Sequence, residues 1–209
     1  MRPEALQKII TKARKYSDNK NDPEFFNILI QAIQKVPRLK NQPPFLEIGT
    51  RRGGTALLML ETIRKMFRNT VLITVDPYGD KPYDDKPYQY GNRFYCDMKR
   101  LLASYPNHIH YHLTSQEFIN IRGMISYWFR GQRRDFSEFS FIYLDGSHIP
   151  ATVKMEFKHL FPRLIKGGCM VVDNTDFYKG TMAKFFEKKR HTSGIEAIAY
   201  GQQTLTRKV

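Results

Sequence analysis

Apolar residues recur at helical spacing near the start of the chain. Leu6, Ile9, Ile10 and Ala13 share one face, and so do Phe25, Phe26, Ile28, Leu29, Ala32 and Ile33, which predicts two helices within residues 4–37. A polar break from Ser17 to Asp22, followed by Pro23, separates them, and Pro37 with the Pro43-Pro44 pair ends the helical region. From Phe45 the period changes. Phe45–Ile48, Val71–Val75, Ile109–Leu113, Phe139–Leu144 and Cys169–Val172 read as strands, and the most apolar of these runs fit a sheet covered by helices on both faces. Between them Ala56–Phe67, Arg93–Tyr105, Ser115–Phe129 and Thr152–Ile165 read as helices, with Gly167-Gly168 closing the last in the left-handed region. This alternation predicts an α/β fold with a mostly parallel sheet and helices on both faces.

The last part of the chain breaks the rhythm. After a helix at Thr181–Lys189, Gly194–Tyr200 and Gln202–Arg207 are strand-like and joined by a tight Tyr200-Gly201 turn, too short for a parallel crossover. The last of seven strands is therefore expected to be antiparallel. Gly79–Gly91 is rich in Pro, Gly and Tyr, repeats Asp80-Lys81-Pro82-Tyr83 as Asp85-Lys86-Pro87-Tyr88, and reads as a loop and candidate lid. No second domain is expected: residues 1–40 form a helical extension, residues 45–209 a Rossmann-like core, and 1–209 one domain.

Charge adds a question of partners. The 209 residues carry 34 Lys and Arg against 20 Asp and Glu, a net charge of +14, which attracts polyanions. Nucleic acid and an anionic small substrate are both candidates, and a solvated basic surface is the plain alternative. The two cysteines, Cys96 and Cys169, form no CxxC pair or disulfide framework, which fits a reducing compartment. The N-terminus lacks an apolar leader core and no run approaches the roughly 20 residues of a membrane span, so a cytoplasmic protein is expected.

Glu47-Ile48-Gly49 leaves the first strand and Gly53-Gly54-Thr55 enters a helix. Glycines allow a sharp turn and close ligand approach, and the helix N-terminus offers free N–H groups. The pattern is ExGxxxG, not the GxGxxG of nicotinamide sites. It resembles the cofactor loop of the class I S-adenosylmethionine-dependent methyltransferases, a resemblance that runs from Phe45 to the C-terminus. The likeness implies that Gly49, Gly53 and Thr55 hold the methionine end of the cofactor while Glu47 helps orient it. Asp76, at the end of the second strand, can accept both ribose hydroxyls. Ser115 and Gln116 fall where this fold faces the adenine, and Ser115 is also a candidate helix N-cap.

Asp145 and the pair Asp173-Asn174 end the fourth and fifth strands, at the carboxyl edge where doubly wound folds bind ligands. Two carboxylates and an amide oxygen suit a hard cation such as Mg²⁺. The set, with its spacing of 28 residues, is similar to the metal site of catechol and caffeoyl-coenzyme A O-methyltransferases, and Leu144-Asp145-Gly146-Ser147-His148 resembles the macrolide-sugar O-methyltransferases. Where catechol-type enzymes carry a lysine base, this chain has His148, whose ordinary pKa of about 6.5 leaves a neutral base at pH 7. The resemblance implies that Mg²⁺ on Asp145, Asp173 and Asn174 chelates vicinal oxygens of a small molecule, catechol-like or sugar, while His148 takes the hydroxyl proton.

Two alternatives stand beside this. One is an RNA (tRNA) methyltransferase, favoured by Arg130–Arg134 and Lys184–Arg190 if they cluster at the active-site rim. The other is a non-catalytic RNA-binding protein on the same scaffold. His108, His110 and His112 would share a strand face but lack a carboxylate partner, which argues against a metal cluster; Trp128 and Phe129 are expected in the core. The N-terminal helices are a candidate homodimer contact.

Overall fold

The computed structural model describes residues 3–17, 23–67, 69–79, 82–83, 86–89, 92–190, 194–200 and 203–209. Helices α1 (Pro3–Arg14) and α2 (Pro23–Gln34) lead to strand β1 (Phe45–Ile48), helix α3 (Gly54–Met66) and strand β2 (Leu72–Val75). A small ribbon, β3 (Pro82–Tyr83) and β4 (Lys86–Gln89), precedes α4 (Asn92–Leu102), β5 (His108–Tyr111) and α5 (Ser115–Ile121). A second ribbon, β6 (Ser126–Phe129) and β7 (Gln132–Asp135), precedes β8 (Phe139–Leu144) and α6 (Pro150–Leu160). The chain continues through β9 (Leu164–Val172), α7 (Phe177–Arg190), β10 (Ile195–Tyr200) and β11 (Gln203–Lys208).

Seven strands form one sheet in the order β10-β11-β9-β8-β1-β2-β5. The pairs β1–β2, β1–β8, β2–β5 and β8–β9 are parallel, and β11 runs antiparallel to both β9 and β10, as the sequence predicts. The expected turn between the last two strands includes Gly201, outside the described residues, as is most of the polar break after Ser17.

Alternation along the central strands divides the core in two. Phe45, Phe141, Tyr143, Cys169 and Val171 face one side, together with apolar residues of α1, α2, α3 and α4. Leu46, Ile48, Ile142, Leu144, Met170 and Val172 face the other, with α5, α6 and α7. The extension is thus built into the core: Phe26, Leu29, Ile30 and Ile33 of α2 are fully buried, each contributing about 1.5–3 kcal/mol of apolar burial. Among the described residues no helix is long and apolar enough to cross a membrane.

Four expectations are corrected. The helix expected at Ser115–Phe129 stops at Ile121, and Tyr127, Trp128 and Phe129 belong to the β6–β7 ribbon. Aromatic residues favour strands, and the turn residues Arg130 and Gly131 both have positive φ (51° and 74°), as a two-residue type I′ hairpin requires. In that ribbon Tyr127 turns inward onto Phe136 while Trp128 turns out and is 69% exposed, so Trp128 is not core. Gly167-Gly168 does not end a helix. α6 ends at Leu160, a 3₁₀ turn containing Pro162 follows, and Gly167 takes its positive φ of 77° inside an irregular stretch of β9. Within the segment expected to be a loop at Gly79–Gly91, residues 82–83 and 86–89 pair as a short antiparallel ribbon.

Candidate active site

The site is assembled at the carboxyl edge, where the backbone ladder runs one residue past each strand. Gly49 N–H donates to Val75 at 2.8 Å, Asp145 N–H to Ile48 at 2.9 Å, Asp173 N–H to Leu144 at 2.9 Å and Asp76 N–H to Tyr111 at 3.2 Å. The first residues beyond four strands are therefore held as firmly as the strands. Gly49 has φ 89°, and a Cβ there would lie 2.2 Å from the Asp145 carbonyl oxygen. Only glycine lets the two loop backbones touch.

A cavity of about 470 Å³ opens above this edge, a size that suits a cofactor. Gly49, Thr55, Asp76, Ser115, Gln116, Asp145, His148, Asp173 and Asn174 all line it. Glu47 and Gly53 do not. Gly53 is the left-handed N-cap of α3, outside the cavity wall. Glu47 is fully buried, and burial, followed by the nearby Asp76 charge, holds its carboxyl well above the usual range. Its oxygens make no hydrogen bond of normal geometry.

Asp76 is largely occupied by the protein. Its Oδ2 accepts the Thr50 and Arg51 N–H groups at 2.9 and 2.8 Å, and Oδ1 accepts Tyr78 N–H at 3.2 Å. The Tyr78 hydroxyl donates to the Arg51 carbonyl at 2.5 Å. Asp76 and Tyr78 thus clamp the glycine loop, with the rest of the Asp76 carboxylate facing the cavity. Thr114, not Ser115, caps α5, in a reciprocal box with Glu117. Ser115 is the first helical residue, on the cavity wall.

At the other end Asp145 and Asp173 stand side by side. Burial, then the charge of Asp173 and of Glu47, pushes Asp145 well up, while Tyr143 donates to its Oδ2 at 3.2 Å. Burial also raises Asp173, partly offset by the backbone N–H of Asn174. Asp173 Oδ1 is buried with no hydrogen bond of normal geometry, although the Asp145 carboxyl and the Gln203 amide are its neighbours. Asn174, in the left-handed region at φ 52°, donates from Nδ2 to Asp173 Oδ2 at 3.0 Å, and the same atom lies 3.4 Å from His148 Nε2. Two adjacent carboxyl groups, one of them with an orphaned oxygen, form a donor set that fits a hard divalent cation. Among the described residues no three His, Cys, Asp or Glu side chains are placed to share a metal, so the set needs the Asn174 amide.

Sequence reasoning missed several contributors. Tyr16 and Ser17, at the end of α1, line the cavity, as do Thr50, Arg51 and Thr152. Tyr143 and Gln203 support the two aspartates from below. An alternating apolar strand marks Tyr143 as inward-facing, but nothing in the local pattern ties α1 or β11 to the site. The alternating histidines hold no metal cluster: His108 Nε2 and His110 Nδ1 meet the same Thr74 hydroxyl at 2.8 and 2.9 Å. Neither Arg130–Arg134 nor Lys184–Arg190 lines the cavity.

A family model described as a methyltransferase domain matches residues 46–175, more than half of the chain and all of the carboxyl edge from β1 to the Asp173 loop. The chain belongs to the methyltransferase-domain family. Its architecture is that of the class I S-adenosylmethionine-dependent methyltransferases, as the sequence predicts. No curated protein matches the sequence of this methyltransferase. Among solved structures it is similar to a protein from Corynebacterium glutamicum (13% identity, TM-score 0.65), covering 100% of this chain and 91% of that one. It is also similar to the O-methyltransferase NovP (14%, TM-score 0.59), covering 98% of each chain. MycE, a methyltransferase of the mycinamycin pathway solved with Mg, SAH and mycinamycin VI, matches with 14% identity and TM-score 0.60, over 98% of this chain and 54% of MycE. The methyltransferase described here thus spans about half the length of MycE.

Proposed function

We propose that this protein is an O-methyltransferase that uses S-adenosylmethionine and a divalent cation, Mg²⁺ by donor preference, to methylate a hydroxyl of a small molecule with vicinal oxygens, catechol-like or sugar. The observation that carries the reading is the adjacent pair of half-buried Asp145 and buried Asp173, with one Asp173 oxygen lacking a hydrogen bond of normal geometry, beside Asn174 and His148 on the wall of the cofactor-sized cavity. Two solved relatives support it: MycE holds Mg and SAH, and NovP is an O-methyltransferase.

S-adenosylmethionine supplies an electrophilic methyl group, and the cation supplies a Lewis acid that orients and acidifies the acceptor oxygens. The protein's own groups do the remaining work. The clamped turn at Gly49–Arg51 and the N-terminus of α3 face the cofactor's methionine end. Asp76 offers its remaining acceptor capacity to the ribose, and Ser115 and Gln116 border the adenine. Asp145 and Asp173 would hold the cation, and half a turn of the Asn174 amide presents its oxygen in place of Nδ2. His148 accepts the acceptor hydroxyl's proton at Nε2, an atom that Asn174 holds only weakly at 3.4 Å. Much of the rate comes from alignment, because the loops bearing these groups are joined through the strand ladder.

Calorimetric titration tests this directly. S-adenosylhomocysteine should bind wild type and Asp173→Ala alike, whereas Mg²⁺ should give a binding isotherm with wild type alone. Equal Mg²⁺ binding to both proteins, or none to wild type, would remove the cation from the reading. Absence of cofactor binding to wild type would overturn it entirely.

A further inference from the structure

The β6–β7 ribbon lies at the far end of the sheet from the cavity. It feeds directly into the start of β8, and Arg130 and Arg134 both donate to Asn69, just ahead of β2. At about 3.3 Å per residue the two ends of the sheet are roughly 20 Å apart. The inner face of the ribbon is core, with Tyr127 on Phe136 and the Arg130 and Arg134 guanidiniums over the Phe129 ring. Its outer face has no internal partner for its largest side chain. Trp128 is 69% exposed there, directly opposite exposed Arg133, whose Nε is steadied by Ser126 Oγ at 2.9 Å. Nearby Met124 is 84% exposed.

The surroundings are cationic. Arg122, at the end of α5 just before the ribbon, has the Arg163 guanidinium as its charged neighbour. A flat indole held outside opposite the Arg133 guanidinium, on a ribbon rich in arginine, is an arrangement that binds bases by stacking and phosphates by charge. We propose that the outer face of the β6–β7 ribbon, Trp128 with Arg133, together with the exposed turn residue Arg130 beside it, is a docking surface for single-stranded nucleic acid. One base stacks on the indole and the arginines take the adjoining phosphates. The surface is separate from the methyl-transfer cavity, and the inference does not depend on the cation or on the acceptor.

Trp128 is the only tryptophan in the chain, so its fluorescence reports this face alone. A uridine dodecamer should quench it saturably, and affinity should fall with salt at a log–log slope of about −1.4, as for two phosphates of a single strand. By anisotropy of a labelled dodecamer, Trp128→Ala should weaken binding about tenfold, and Arg133→Ala should weaken it and make the slope shallower by about 0.7. Saturating S-adenosylhomocysteine should leave binding unchanged. The proposal is overturned by any of four results. These are no quenching; equal binding of Trp128→Ala, the mark of charge alone; equal binding of a duplex, whose bases cannot stack on the indole; and quenching that follows protein concentration without RNA, which would assign the face to a second copy.

Discussion

Gly49 shows how much of the site can depend on the absence of a side chain. A methyl group there would collide with the Asp145 carbonyl, and the backbone sits at φ 89°, where an alanine is strained. Gly49→Ala should therefore lose roughly 3 kcal/mol or more of stability in urea unfolding and bind S-adenosylhomocysteine poorly. Gly123→Ala, where an added Cβ meets nothing within 4 Å, should stay within about 0.5 kcal/mol of wild type. Similar losses for both would mean that the loop contact is not the cause. Glu47 shows the limit of a motif at this scale. The ExGxxxG pattern marks it as a cofactor residue, yet it is fully buried and off the cavity wall, because alternation puts position 47 on the Phe45 side of β1, the side covered by α1 to α4.

At the scale of elements, the edge strand β5 carries two half-buried histidines, His108 and His110. Burial lowers His108 to about 4 and His110 to about 3, below the roughly 6.5 of an unfolded chain. Below pH 6.5 the unfolded state takes up protons that the fold refuses, so the stability held above that pH is lost as it falls towards 4. Each should remove on the order of 3 kcal/mol between pH 7 and pH 4, and His110→Gln should lose about half of the joint dependence in urea midpoints. An unchanged pH slope in the variant would place the acid sensitivity elsewhere. Strands such as β8 were legible because six consecutive buried residues, Phe139–Leu144, leave no helical reading with a polar face. The segment after α5 was not: Phe118, Ile119 and Ile125 continue a helical spacing, and only pairing with Gln132–Asp135 shows that the aromatics beyond them form a strand. Gly167 misled for a related reason, since a positive φ serves a bulge as well as a helix end.

Across the whole molecule the sheet has two unlike ends. Acidic and neutral polar groups gather at the carboxyl edge around the cavity, and an aromatic, arginine-rich ribbon stands at the other. The N-terminal helices belong to the first of these ends. Ile9, Ile10 and Ala13 are buried, and Tyr16 and Ser17 complete the cavity wall. A chain lacking residues 1–17 should unfold at lower urea and bind S-adenosylhomocysteine at least about tenfold more weakly, a loss near 1.4 kcal/mol. Unchanged affinity would show that α1 is outside the binding machinery. The mostly parallel sheet and its antiparallel last strand were readable from the alternation of elements, but the closure of the site was not, because its walls come from residues distant in sequence.

The placement of β11 has a consequence for how the protein is made. Residues 203–208 slot between β9 and β10, Gln203 lies beside Asp173, and the Thr204 hydroxyl meets that of Thr175 at 3.1 Å. Most of the cofactor cavity can take shape while translation is under way, since domains begin to fold as they emerge. The Asp173 loop cannot be braced until residues 203–208 leave the ribosome. A nascent chain that has reached only residue 202 therefore has most of its cavity wall but not yet the Gln203 and Thr204 contacts that steady the Asp173 loop.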